Sequence, residues 1–289
     1  MENSEEIMLL KGKETAEKIN GEIKERVNRL KEKGTEPALA IVRVGENPGD
    51  IAYERGAVKK AEALGIKPVK YTCPEDCTEE KLIKVIEDIN GDRGIHGILL
   101  LQPLPKYMNS ERVRNTIAAE KDVDCITDRS LGNLFIGKEG FAPCTAESCM
   151  EILKHYDIPV RGKKAVVIGR SLVIGKPAAI MLMKENATVT VCHTKTAEED
   201  RRAFCRNADI IISAAGKINA LTTEDVKEGQ TVIDVGINFD ENGKMKGDAD
   251  FDSISTVVKN ITPVPGGVGS VTTTVLMRHL VEAAEKSSL

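Results

Sequence analysis

The sequence lacks the long apolar segments and the charge excess that would assign it to a membrane or to nucleic acid. No run approaches the roughly 20 apolar residues of a membrane-spanning helix. Residues 1–6 include three glutamates, Glu2, Glu5 and Glu6, whereas a secretory signal peptide begins with basic residues. Across 289 residues the net charge is −4, so no broad electrostatic field attracts nucleic acid or an anionic membrane. We therefore expect a cytoplasmic protein with neither as a partner.

The sequence also lacks tryptophan and any cysteine pattern typical of a disulfide framework. Its seven cysteines are scattered, and their odd number favours a reduced protein. The close pairs are Cys73 with Cys77 and Cys144 with Cys149, and neither has histidine or cysteine partners at zinc-site spacing. We therefore predict no metal site and a structural role for every cysteine.

What the sequence does contain is an alternation of helical and strand patterns, which favours parallel α/β layers. An apolar face predicts a helix from Ala16 to Leu30, and Thr78 is placed to cap another helix. The segment Gln102-Pro103-Leu104-Pro105 is too rich in proline for regular structure. Further predictions are strands at 38–44, near 69, 95–101, 209–213 and 231–234, helices at 51–64, from near 145 and at 270–286, and a turn at 242–243.

Residues 164–196 are predicted to form a strand, a glycine turn, a helix and a second strand. The apolar residues at 165–168, three of which are β-branched, are typical of a strand buried in a parallel sheet. Gly169 and Gly175 permit a tight turn, and the unpaired N–H groups of the helix that follows favour a pyrophosphate. The spacing departs from the standard dinucleotide fingerprint, since Ser171 replaces the second glycine. A turn without a ligand is therefore the alternative interpretation.

The second strand, at 187–192, decides the type of cofactor. An NAD enzyme usually has an acid near this strand's end that binds the ribose hydroxyls. Here the strand is followed by His193-Thr194-Lys195-Thr196, which contains no acid. A 2′-phosphate would meet Thr194 and, from the first turn, Arg170. The sequence therefore predicts NADP.

A loop near the C-terminus combines two prolines with three glycines: Ile261-Thr262-Pro263-Val264-Pro265-Gly266-Gly267-Val268-Gly269. The prolines fix one part of the loop, and the glycines free the other. This combination lets the backbone come close to a flat ligand and bind it through main-chain groups.

The chain resembles the methylenetetrahydrofolate dehydrogenase/cyclohydrolase family over essentially its whole length. The motifs that carry the resemblance are residues 44–48 with Tyr53, 97–99 through 103–105, 121–124, 143–145, 169–171, 192–194, 234–238 and the loop 261–269. The resemblance implies enzymes of one-carbon metabolism that oxidise 5,10-methylenetetrahydrofolate with NADP. Many of them then hydrolyse the methenyl product to 10-formyltetrahydrofolate.

The same resemblance implies the fold. We expect a parallel-sheet α/β folate-binding catalytic domain at 1–146 plus 271–289 and a Rossmann-like NADP domain at 147–270. The folate is expected in a cleft between them, and the protein is expected to be a homodimer joined through the NADP domains.

The resemblance also assigns residues. Tyr53 falls on the tyrosine that stacks on the folate, and Asp124 on the acid that hydrogen-bonds the pterin. Without the family motif, Tyr53 could be a half-buried helix residue and Asp124 a loop cap. The loop expected to cover the folate contributes Pro265, Gly266 and Gly267. The expected cofactor contacts are Gly169, Arg170, Ser171, Gly175, Thr194 and Ile237.

Two positions depart from the family. The lysine four residues after the tyrosine is Ala57 here, and the glutamine after the Gly97 strand is Leu101. Glutamine appears one residue later, as Gln102, and a shift of one residue in a strand turns a side chain to the opposite face. In the family the lysine transfers the proton during hydrolysis and the glutamine tunes it. Alanine and leucine can neither accept nor donate a proton.

The departures predict a dehydrogenase with weak or absent cyclohydrolase activity. Hydride transfer depends mainly on position and orientation, whereas a lost general base costs about 10²–10⁴-fold in rate. A bifunctional enzyme that uses Lys60 and Gln102 is a competing interpretation, although Lys60 could equally be a solvated surface charge. A catalytically silent folate-binding protein and a different NADP oxidoreductase are two further interpretations of the same sequence.

Overall fold

The structure, a computed structural model, describes residues 7–288, so the acidic residues 1–6 lie outside the described part. The described chain divides into two compact units. The six-stranded unit comprises the described residues through Glu17 together with Thr145–Thr272, and the three-stranded unit comprises Lys18–Cys144 with the described residues from Thr273. None of the described helices is long and apolar enough to cross a membrane.

Strands and helices alternate along the chain, as predicted. The strands are β1 (Met8–Leu9), β2 (Ala38–Val44), β3 (Lys67–Cys73), β4 (Gly97–Leu100), β5 (Lys164–Ile168), β6 (Thr188–Cys192), β7 (Ile210–Ser213), β8 (Thr231–Asp234), β9 (Asn238–Phe239), β10 (Met245–Lys246) and β11 (Asn260–Ile261). The helices are α1 (Gly12–Glu32), α2 (Pro48–Ala63), α3 (Glu79–Gly91), α4 (Ser110–Arg114), α5 (Asp128–Ile136), α6 (Cys144–His155), α7 (Gly175–Lys184), α8 (Glu198–Asn207), α9 (Phe251–Ile254) and α10 (Gly269–Ser287).

The three-stranded unit is built on a parallel sheet in the order β3-β2-β4. Every residue of β2 is buried, because helices cover both faces of a parallel sheet. Alternate residues such as Ala40 and Val42 pack into a core cluster with Leu82, Ile86 and Ile89 of α3. The side chains between them, including Arg43, therefore lie on the other face.

The six-stranded unit is a parallel sheet in the order β1-β11-β8-β7-β5-β6. The chain passes from β5 to β6 on one side and then crosses to β7 on the other side of β5. This reversal is the topological switch point at which α/β proteins bind ligands. The β9–β10 hairpin turns at Asn242-Gly243, and Gly243 has a positive φ of 73°. The predicted α/β class with parallel sheets is confirmed.

The N-terminal segment differs from the predicted domain boundaries. Residues 7–17 belong to the six-stranded unit, whereas the prediction placed them in the folate domain. The physical reason is a strand pair, since Met8 and Leu9 are in parallel register with Asn260 and Ile261. A strand of two residues is too short to show a periodic pattern in the sequence.

Helix α2 begins three residues before the predicted start at 51. The Asn47 side chain accepts a hydrogen bond from Gly49 N at 2.8 Å, and Pro48 occupies the first helical position. Both are helix-start signals of the sequence. The predicted cap of α3 is confirmed, since Thr78 Oγ1 accepts from Lys81 N at 3.3 Å.

Candidate active site

The two residues predicted to meet a 2′-phosphate each follow a strand at the carboxyl edge of the six-stranded sheet. Ile168 of β5 is in register with Cys192 of β6. Arg170 and Thr194 each follow that pair by two residues, and both are exposed. Because neighbouring strands are about 4.8 Å apart, one small anion can reach both side chains.

The glycine turn between β5 and α7 is forced by close backbone packing. Gly169 has a φ of 138°, and a Cβ there would lie 2.3 Å from the carbonyl oxygen of Ala214. Any side chain would therefore push the turn away from the end of β7. Gly175 is buried where α7 begins.

The anion site differs in detail from the prediction, which placed unpaired N–H groups at the start of α7. Ser171 Oγ accepts from Ile174 N at 3.1 Å and Gly175 N at 3.5 Å, and Ser171 O accepts from Lys176 N at 3.0 Å. The first N–H groups of the helix are thus occupied by the turn itself. In contrast, no backbone N–H of residues 170–173 donates to any partner within residues 7–288. These four groups are the donors that remain for a phosphate.

Two buried carboxylates hold the loops beside this edge. Asp234, at the end of β8, accepts from Gly236 N, Asp248 N and Ala249 N at 2.9–3.0 Å. Burial raises the pKa of Asp234 to about 6, whereas the hydrogen bonds from these N–H groups lower it. A Cβ on Gly236 would lie 2.1 Å from Asp248 Oδ1, so only glycine fits there. The carboxylates of Asp234 and Asp248 fix the backbone that carries Ile237. The Ile237 side chain is exposed over 61% of its surface.

Asp248 was not identified from the sequence. Its carboxylate accepts from Ala215 N, Gly216 N and Lys217 N at 2.5–3.1 Å and from Asn238 Nδ2 at 2.9 Å. It follows a hairpin as one acid among several, and nothing in that pattern marks it as buried. Three of its four donors lie more than 30 residues upstream, and only the fold brings them to it.

The Pro-Gly loop lies at the end of β11 in the same sheet. Pro265 and Gly266 are exposed, and Gly267 is buried. Gly266 has a φ of 104°, and its carbonyl accepts from Gly12 N at 2.9 Å. The loop is thus tied to the start of α1 while its proline tip remains free for a ligand.

In the three-stranded unit, Tyr53 and Asp124 belong to one electrostatic neighbourhood. Tyr53, on α2, is 43% exposed, but its hydroxyl end is desolvated. That burial raises the pKa of Tyr53 well above its usual value, Asp124 and Cys144 add to the rise, and a hydrogen bond with Thr273 opposes it. Burial likewise raises the pKa of Asp124 to about 6, and a hydrogen bond with the Cys144 thiol opposes this shift.

Two further residues that the sequence did not reveal support the Asp124 segment. His279 Nδ1, on α10, donates to Val123 O at 2.8 Å, and the ring stacks on Phe141 with 4.8 Å between centroids. Cys144 Sγ donates to the same carbonyl at 3.4 Å. Both side chains are buried. A single histidine within an apolar helix gives only a weak sequence signal.

The two positions that depart from the family are buried and apolar. Ala57 is 2% exposed and shares the buried stripe of α2 with Glu54 and Ala61. Leu101 is 6% exposed, and strand alternation places it on the sheet face of Arg43. That face carries an ion pair in which Arg43 Nε donates to Glu54 Oε2 at 2.8 Å.

The alternative pair, Lys60 and Gln102, is less buried than Ala57 and Leu101. Lys60 is half-buried, and its pKa is lowered by burial and by the charge of Lys24 on α1. Gln102 is exposed just beyond the end of β4.

Comparison with known proteins identifies the family. The model of the tetrahydrofolate dehydrogenase/cyclohydrolase catalytic domain matches residues 10–124, and the model of its NAD(P)-binding domain matches residues 143–288. The chain belongs to the tetrahydrofolate dehydrogenase/cyclohydrolase family. The bifunctional protein FolD of Carboxydothermus hydrogenoformans is 50% identical over 279 residues, which cover 96% of both chains.

Solved structures of the family share the fold. The bifunctional FolD enzyme of Campylobacter jejuni has a TM-score of 0.94 and 43% identity, over 97% of this chain and 99% of that one. FolD of Trypanosoma brucei, solved with NADP and an inhibitor, has a TM-score of 0.92 and 34% identity, over 98% of each chain. These findings confirm the predicted family, the two-domain α/β fold and a cofactor of the NAD(P) class.

Proposed function

We propose that this chain is an NADP-dependent 5,10-methylenetetrahydrofolate dehydrogenase with weak or absent cyclohydrolase activity. The dehydrogenase half rests on family membership and on the residues at the two sheets. The proposed weakness or absence of cyclohydrolase activity departs from the bifunctional relatives, and it rests on the buried side chains of Ala57 and Leu101.

The folate side of the proposal uses Tyr53 and Asp124. The partly exposed ring of Tyr53 offers a flat apolar surface for stacking, and its hydroxyl stays protonated because burial raises its pKa. Asp124, when ionised, can accept from two N–H groups of a pterin edge. The exposed tip at Pro265 and Gly266 supplies a further surface for a flat ligand.

The cofactor side favours NADP over NAD. The free N–H groups at 170–173 suit a pyrophosphate, Arg170 and Thr194 suit a 2′-phosphate, and the four residues that follow β6, 193–196, contain no acid to repel it. Ile237 offers an exposed apolar contact. NADP, when bound, supplies the hydride acceptor, and the role of the protein residues is to bind and orient the two partners.

Hydrolysis makes a different demand. Water attack on the methenyl carbon needs a group that takes a proton, and at the two family positions this chain has only hydrocarbon. Both positions are almost completely buried, so a neighbouring exposed side chain does not simply replace them. This observation carries the proposal.

The similarity to bifunctional relatives favours the alternative of a bifunctional enzyme, for which Lys60 and Gln102 are the candidate residues. In this alternative Lys60, which is half-buried seven residues after Tyr53 on the same helix, takes the place of the family lysine. A silent folate-binding protein is a weaker alternative, since the turn at 169–175 leaves the backbone N–H groups of residues 170–173 available for a cofactor phosphate.

The direct test mixes pure protein with 5,10-methylenetetrahydrofolate and NADP. We expect NADPH and methenyl product to accumulate together, while added methenyltetrahydrofolate at neutral pH disappears at the uncatalysed rate. Enzymatic loss of the methenyl compound would contradict the proposed loss of cyclohydrolase activity. Absence of NADPH would contradict the proposed dehydrogenase activity.

Restoring the family residues is the sharper test. We expect Ala57→Lys with Leu101→Gln to raise methenyl hydrolysis by at least about 10²-fold, because a general base returns. The control places lysine on the exposed face of the same helix, as Gly56→Lys with Leu101→Gln; a Cβ at Gly56 meets no atom within 4 Å. Equal hydrolysis by the two double variants, at retained dehydrogenase activity, would assign that step to another group.

We also propose that the chain forms a homodimer through its six-stranded unit. The support is the edge strand β6 and three exposed apolar side chains on it and on the helices before and after it in the chain: Met183 on α7, Val191 on β6 and Phe204 on α8. We call these three residues the apolar patch.

A further inference from the structure

The three-stranded unit contains a cavity of about 660 Å³ that the proposed function does not use. Its walls come from the end of α3, from α5, from the end of α10 and from the segments 119–121 and 139–141. The folate-site positions discussed above, Tyr53, Ala57, Leu101, Gln102 and Asp124, are absent from its lining.

The cavity lies at the amino edge of the three-stranded sheet. His96, which lines it, precedes β4, and its backbone N donates to Ala38 O at the start of β2 at 2.9 Å. Leu101 and Gln102 follow β4 at the opposite, carboxyl edge. The four residues of β4 separate the two edges by about 13 Å at the usual rise per residue.

Basic side chains outnumber acidic ones around the cavity. Arg93, Lys121, Arg129 and Lys286 line it together with two acids, Glu120 and Glu139. Lys121 is already engaged, since its Nζ donates to Ile89 O at 2.8 Å and Asp92 O at 2.6 Å. Lys286 Nζ lies 3.9 Å from Glu139 Oε2.

The two arginines remain available. Neither Arg93 nor Arg129 forms a salt bridge or side-chain hydrogen bond with any of the residues that the structure describes. A guanidinium presents its N–H groups in a rigid planar fork that matches the oxygens of a carboxylate or a phosphate. Two guanidinium groups that line one cavity favour the binding of an anion with more than one negative charge.

His96 adds a neutral donor to the same wall. Its Nδ1 accepts from Ala38 N at 3.2 Å, so the ring proton is on Nε2. Burial and the nearby charge of Lys121 lower the pKa of His96, which keeps the ring neutral at physiological pH. The ring is 7% exposed, so its orientation is fixed by packing.

We propose that this cavity is a second ligand site that binds a small phosphate or carboxylate anion of two or more charges through Arg93 and Arg129. Phosphate esters and polycarboxylates share this chemistry. Pyrophosphate represents the first source and citrate the second.

The test is calorimetric titration of the protein with each probe at low ionic strength and saturating NADP, which keeps the cofactor's own phosphate sites filled. We expect saturable 1:1 binding of at least one probe, weakened by added NaCl. The double variant Arg93→Gln with Arg129→Gln should bind about 100-fold more weakly, and each single variant about tenfold, because each loses a charge-assisted contact.

The matched control removes two exposed arginines outside the cavity, Arg29→Gln with Arg161→Gln, and so makes the same change in net charge. It should bind within about twofold of the parent protein. Tighter binding of pyrophosphate than of citrate identifies a phosphate ligand, and the reverse identifies a carboxylate. The proposal is overturned if neither probe saturates, if the cavity variant binds normally with unchanged circular dichroism, or if the control loses as much affinity.

Discussion

Asp124 illustrates how burial sets the working range of a single carboxylate. Its pKa is raised to about 6 by burial, so the group gains a proton as the pH falls through that value. Only the ionised form accepts from two donors of a pterin. The apparent KM for 5,10-methylenetetrahydrofolate should therefore rise about tenfold from pH 7 to pH 5, since one proton competes with the substrate. Steady-state kinetics over this range measure the effect.

The variant Asp124→Asn is the control for this pH dependence. It should have a high KM at every pH, with no inflection near pH 6, because the amide does not titrate there. An unchanged inflection in the variant would assign the titration to another group.

Arg170 provides a second prediction for a single residue, this time on cofactor choice. In the proposed cofactor site, Arg170→Gln removes a charged donor from the 2′-phosphate but leaves the backbone N–H groups of the turn in place for the pyrophosphate. We expect kcat/KM for NADP to fall about 10–100-fold while the value for NAD changes little. The exposed Arg161→Gln should change neither value. An equal loss with both cofactors would show that Arg170 acts on a feature they share.

At the scale of elements, the loops of the six-stranded unit depend on buried acceptors more than on regular structure. The Asp248 carboxylate accepts four hydrogen bonds from two separate segments. Asp248→Ala leaves those N–H groups without a partner, and we expect a loss of about 2–4 kcal/mol in the free energy of unfolding. Urea denaturation followed by circular dichroism measures this loss, since the chain has no tryptophan.

Glu241→Ala is the matched control for this prediction. Glu241 lies exposed in the neighbouring hairpin, so its removal should change stability by less than about 0.5 kcal/mol. If Asp248→Ala were as mild as the control, the loop would be held by the hairpin rather than by the carboxylate.

The same elements show what local sequence can and cannot predict. Strands β2 and β8 have the predicted ends, because runs of apolar residues bounded by turn residues are local signals. The two residues of β1 and the partners of Asp248 and His279 depend on contacts between segments far apart in the chain. The candidate site was identified through a family pattern, but its anchoring by Asp248, His279 and Cys144 required the fold.

At the scale of the whole molecule, β6 is an edge strand of the six-stranded sheet. The strand order ends at β6, and an edge strand presents unpaired backbone groups that invite pairing with another chain. Val191 on this strand is 41% exposed, and Met183 and Phe204 on the flanking helices are 51% and 43% exposed. A second copy that pairs through this edge would bury the patch symmetrically.

The homodimer therefore has a specific test. We expect light scattering after gel filtration to give twice the chain mass of 31.4 kDa, and Val191→Lys to shift the protein to the single mass, because a charge at the edge opposes pairing. The control Phe135→Lys changes a residue that is 71% exposed in the other unit, and it should leave the dimer intact. If the unmodified protein has the mass of a single chain, the homodimer proposal is wrong. Equal dissociation by both variants would instead mean that the copies meet through a surface other than the β6 edge.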